Sequence, residues 1–106
     1  MVDYELNELR REFLDEARAK VAEMQTALET SGDSRALERV AYLAHQLKGS
    51  GGSYGYQRIS TDAAEVEKAV ESLVEQASES PAVEAKIQQH VVSLRSEIEG
   101  ALRSLA

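Results

Sequence analysis

Four segments of the chain repeat apolar side chains at three- and four-residue steps, a spacing that fits helices with one apolar face and does not fit strands. The first carries Leu6, Leu9, Phe13, Ala17, Val21, Met24 and Leu28; the second carries Leu37, Val40, Ala44, Leu47, Gly51 and Tyr54. Tyr56, Ile59, Ala63, Val66, Val70, Leu73 and Ala77 form the third stripe, and Val83, Ile87, Val91, Leu94, Ile98, Leu102 and Leu105 the fourth. No alternation of period two competes with them. Four such faces joined by short connections bury themselves most simply as an all-α, antiparallel, up-down four-helix bundle. At 106 residues, with a single proline, the chain reads as one domain spanning 1–106. The first ten residues leave open a separate short N-terminal helix.

The breaks between stripes carry helix punctuation. In Thr30-Ser31-Gly32-Asp33, Gly32 suits the left-handed residue after a helix, and Asp33 or Ser34 suits the cap of the next. In Ser78-Glu79-Ser80-Pro81, Ser80 reads as a cap and Pro81 as a first helical residue, where a missing amide costs nothing. A third connection falls near residues 55–57.

Charge narrows the partners. Nineteen acidic residues against twelve basic ones give a net charge of −7, which repels nucleic-acid phosphate and anionic lipid, and no basic patch is segregated. Without cysteine there are neither disulfides nor thiolate metal sites, which fits a reducing cytoplasm, the expected location. The N-terminal residues lack a basic stretch followed by an apolar one, so we expect a chain neither exported nor anchored, and a monomer.

Against this helical background, His45-Gln46-Leu47-Lys48-Gly49 stands out, because four of the six glycines fall within the eleven residues from His45 to Gly55. His45 lies about 130° from the centre of its helix's apolar stripe, and therefore points outward. A neutral imidazole is nucleophilic near pH 7 and can form a phosphoramidate with an activated phosphoryl donor. In-line approach requires small neighbours above the ring, and on a helix these lie three, four and seven residues on. Here they are Lys48, Gly49 and Gly52. Glycine costs about 0.5–1 kcal/mol relative to alanine within a helix, so several in one turn call for access or close backbone approach as compensation. Lys48 offers an ammonium suited to a phosphoryl oxygen.

The run Ala44-His45-Gln46-Leu47-Lys48-Gly49, with Gly55 closing the cluster, resembles the signature of bacterial histidine-containing phosphotransfer domains, of the kind also found at the head of chemotaxis-type kinases. The resemblance implies that His45 accepts the phosphoryl group, Lys48 steadies it, Gly49 gives access and Gly55 marks the passage from the second helix to the third. It implies the same four-helix bundle, with the histidine exposed midway along the second helix. Two departures are present: Gly51-Gly52 is richer in glycine than the family's small residues, and Asp62 stands where an apolar residue is expected.

The leading expectation is a phosphorelay intermediate that takes a phosphoryl group from a receiver-domain aspartate or a histidine-kinase domain and passes it to a response-regulator aspartate. Such a chain is a carrier rather than an enzyme. It binds no cofactor or metal of its own, and Mg²⁺ resides in the partner, because phosphoryl transfer from ATP needs a nucleotide cradle and metal ligands that are missing from the sequence. The alternative is an unphosphorylated helical docking module. Gly49-Ser50-Gly51-Gly52-Ser53-Tyr54-Gly55 fails the dinucleotide pattern at Tyr54 and follows no strand. His90 has no comparable neighbours and reads as structural. Tyr42 and Tyr54 read first as packing aromatics, while Glu38, Ala41 and Tyr42 are candidates for the rim of a docking surface.

Overall fold

The computed structural model describes residues 4–30, 33–76 and 80–105, with the side chain of Gln76 left aside. Four helices account for nearly all of them: α1 (Tyr4–Thr30), α2 (Ser34–Ser53), α3 (Gln57–Gln76) and α4 (Pro81–Leu105). Each helix packs on its neighbours in a ring, α1 on α2, α2 on α3, α3 on α4 and α4 on α1, which is the antiparallel up-down bundle. Its extents are 53 × 21 × 20 Å. None of the described helices is long and apolar enough to cross a membrane.

The separate N-terminal helix left open by the sequence is not formed: α1 runs unbroken from Tyr4. One residue of its expected stripe also changes place. Arg11 reaches the Leu105 carbonyl at 3.2 Å, and Phe13 stacks on Tyr54 and Tyr56 in the α2–α3 connection, so the turns before Arg11 project past both. Leu9 is consequently 47% exposed, and Leu14 is fully buried instead. The other three stripes fill the core as spaced, with Leu43 added on α2. Ser31, Gly32, Ala77, Ser78 and Glu79 lie outside the described residues.

The ends follow local chemistry. Asp33 caps α2 by accepting the Ala36 amide at 2.9 Å, and Ser80 accepts the Val83 amide ahead of Pro81. After α2, the Tyr56 amide bonds the Gly51 carbonyl at 2.8 Å and the Gly55 amide bonds the Gly52 carbonyl at 3.1 Å. This paired closure needs a left-handed residue, which Gly55 supplies at φ +84°. Gly55 therefore ends α2 as expected, for a conformational reason.

Asp62 does not disturb the register of α3. It faces α4, where one oxygen lies 3.2 Å from His90 Nδ1 and its carboxylate neighbours that of Glu97. His90 is thus half-buried and paired across the α3–α4 seam. One oxygen of Glu97 is sealed from solvent with no hydrogen-bond donor facing it. Burial, and then the Asp62 carboxylate, push Glu97 up to about 7, with Arg58 opposing them. A proton held there turns a repelling pair into a hydrogen bond.

The sign follows from linkage. Between the ordinary value of 4.5 and about 7 the folded chain binds more proton at Glu97 than the unfolded chain, so this part of its stability is fully present at low pH and is lost as pH rises across that window. Measured by urea midpoints, the parent is expected to lose stability relative to Glu97→Gln from pH 4.5 to 7 and to run parallel above it. Parallel curves throughout would show that the Glu97 proton has no such linkage.

Candidate functional site

His45 occupies the middle of α2, one residue after the buried Ala44 and two before the buried Leu47, so the helix turns its ring outward. Its side chain is 64% exposed. Nδ1 lies 2.8 Å from Oε2 of Glu67 on α3, and the other oxygen of that carboxylate, Oε1, accepts from Lys48 Nζ at 2.8 Å. One carboxylate therefore holds both side chains singled out by the sequence.

Glu67 itself is only 16% exposed. Burial alone would raise it, but the hydrogen bonds from Lys48 and His45 outweigh that and hold its carboxyl below the usual value of 4.5. It is ionised at neutral pH and can only accept. In the neutral ring the proton between it and the imidazole consequently sits on Nδ1, which leaves the lone pair on Nε2, a nitrogen with no protein partner among the described residues. Lys48 spends one of its three N–H groups on Glu67 and keeps two.

The glycines divide by role. A Cβ placed on Gly49 would meet nothing within 4 Å, and one on Gly52 would make only ordinary contact with Ser60 Oγ at 3.7 Å. Packing therefore accounts for neither glycine, although both border the histidine. Gly51 differs: its Cβ would stand 3.1 Å from the Ser60 amide nitrogen, so α2 and α3 approach backbone to backbone there.

The remaining candidates lie N-terminal to His45 on α2. Glu38 is exposed, Ala41 packs its partly buried methyl against the core, and Tyr42 is 52% exposed. The first reading of Tyr42 as a packing aromatic does not hold. Its hydroxyl accepts from Gln46 at 2.9 Å, and Arg39, itself paired with Glu23, stands over its ring at 5.4 Å. Tyr54 does pack, stacked on Phe13 with ring centroids 5.0 Å apart. No group of three or more His, Cys, Asp or Glu side chains able to hold a metal ion occurs among the described residues.

Along α3 itself nothing distinguishes Glu67 from Glu65, Lys68 and Glu71, the other charges off the apolar stripe. A usable signal was present: in an antiparallel helix pair, residues equally far from the turn face each other, and His45 and Glu67 lie ten residues before and twelve after Gly55.

Glu67→Ala is expected to leave α3 helical but to release Lys48 and let the His45 ring populate both neutral forms. Ring ¹⁵N shifts should move from a pure Nδ1–H pattern towards a mixture. The unaltered pattern in the variant would mean that Glu67 does not set the tautomer.

The family model described as Hpt domain matches residues 8–104 of the chain. No curated protein and no solved structure matches it.

Proposed function

Because the chain belongs to the Hpt domain family, we propose that it carries a phosphoryl group on Nε2 of His45. Histidine phosphotransfer in two-component signalling is what the family performs. The donor in this proposal is a receiver-domain phospho-aspartate or a histidine-kinase domain, and the acceptor is a response-regulator aspartate. Mg²⁺ belongs to the partner.

The observation that carries the reading is the shared carboxylate of Glu67, 2.8 Å from both His45 Nδ1 and Lys48 Nζ. Nε2 attacks phosphorus, the bond from phosphorus to the aspartyl oxygen breaks, and the aspartate departs with that electron pair. The ring, still protonated at Nδ1, becomes positive as the new N–P bond forms. Glu67 is already in place to stabilise that charge, without reorganisation at the moment of transfer. The spare N–H groups of Lys48 face the same task at the phosphoryl oxygens. A docking module requires none of this arrangement, so the geometry supports the carrier reading over it. The stretch with exposed Glu38 and Tyr42 and the partly buried Ala41 then forms part of the surface on which the partner rests.

Incubation with a phosphorylated receiver is expected to give acid-labile, base-stable phosphate on the parent and none on His45→Gln, with helical content unchanged. Full labelling of that variant would overturn the assignment, and His90→Gln should label like the parent.

Gly49→Leu separates access from packing. A Cβ at Gly49 meets nothing within 4 Å, and helix propensity improves by up to about 1 kcal/mol. Melting temperature should therefore hold or rise while transfer from the receiver falls steeply and phosphoramidate still labels His45. Equal labelling by receiver and small molecule would remove Gly49 from the docking face.

A further inference from the structure

Three polar side-chain contacts join α2 to α3 among the described residues. Two of them are the site itself, from His45 and Lys48 to Glu67. The third is made by Ser60, whose hydroxyl donates to the Lys48 backbone carbonyl at 2.8 Å. That carbonyl is the one an α-helix already offers to the amide four residues on, so the serine is a second donor to it, reaching in from the facing helix.

The contact falls at a close approach of the two helices. The Ser60 amide nitrogen and Cα would lie 3.1 and 3.4 Å from a Cβ on Gly51, and Ser60 Oγ 3.7 Å from one on Gly52. Ser60 and Glu67 are seven residues apart, which places them on one face of α3, roughly 10 Å apart along its axis. Gly51 and His45 are six apart on α2, running the other way. The helix pair is thus fixed at Ser60 and used at Glu67.

The apolar contacts between these helices, such as Leu47 with its neighbours in the core, are non-directional and tolerate sliding. A hydrogen bond does not. We propose that Ser60 is a positioning residue: its bond to the Lys48 carbonyl, seated against Gly51, sets the axial register that brings one Glu67 carboxylate within reach of both His45 Nδ1 and Lys48 Nζ. Without it, the ion pairs of the site are the only polar side-chain contacts left between the two helices among the described residues, and they must be free to respond when the phosphoryl group arrives. The consequence for transfer rests on the carrier reading above, whereas the geometric role does not.

The test compares Ser60→Ala, Ser60→Thr and Gly51→Ala in the full chain by ring ¹⁵N shifts of His45, by the rate of phosphoryl transfer from a receiver, and by thermal unfolding. Ser60→Ala removes one oxygen and should shift the ring from pure Nδ1–H towards a mixture and slow transfer by roughly threefold to tenfold, the scale of one lost hydrogen bond. Ser60→Thr keeps the donor and should stay near the parent in both. Gly51→Ala disturbs the same contact from the other helix and should move the ring signals in the same direction as Ser60→Ala. Parent-like ring signals in Ser60→Ala and Gly51→Ala, with only melting temperature lowered, would make Ser60 an ordinary structural residue. A threonine variant as impaired as the alanine one would overturn the part played by the hydroxyl. If the parent itself takes no phosphoryl group, the carrier reading fails, and the ring signals still decide the role of Ser60.

Discussion

The close approach of α2 and α3 at Gly51 governs the geometry of this bundle's working half. With a Cβ on Gly51 the Ser60 backbone would be 3.1 Å away, tighter than side chains ordinarily pack, so the helices would have to separate by a few tenths of an ångström. The left-handed Gly55 then turns the chain back within a single short connection. Together they make α2 and α3 an antiparallel pair with a fixed separation and phase. Everything at His45 inherits that geometry, because its carboxylate partner stands on the other helix.

Charge economy explains why one acid suffices. Glu67 is mostly buried, and a buried carboxylate is costly unless donors surround it. Two donors from adjacent turns of α2 do so, and in return the carboxylate fixes which imidazole nitrogen bears the proton. The same group thereby keeps Lys48 beside the ring before any phosphoryl group is present. A lysine left free would spread its ammonium over many rotamers, at an entropic cost on ordering.

Helix α3 carries polar groups towards both of its neighbours. Asp62 and Glu67 are five residues apart, about 140° around the helix, so one faces α4 and the other α2, with Ala63 and Val66 buried in the core. The two edges behave oppositely. On the α2 side a carboxylate meets cationic and N–H partners and stays ionised; on the α4 side two carboxylates meet, and Glu97 is driven towards its neutral form. One helix thus joins a site that needs its charge to a seam that suppresses one.

Much of this was legible in the amino-acid order. The four stripes fixed helix number and inward faces, since apolar spacing near 3.6 residues has one economical burial, and Asp33, Gly55 and Ser80 marked boundaries through chemistry confined to a few neighbouring residues. His45, Lys48 and the glycines were visible for the same reason: they fall within eleven consecutive residues. What only the tertiary structure decided lies between helices. The pairing of Glu67 with His45 and Lys48, the seating of Ser60 against Gly51, the meeting of Asp62 with His90 and Glu97, and the exposure of Leu9 all depend on the register and relative length of facing helices. Periodicity along one helix is blind to these, because an apolar stripe states which side turns inward and leaves open how far a helix slides along its neighbour.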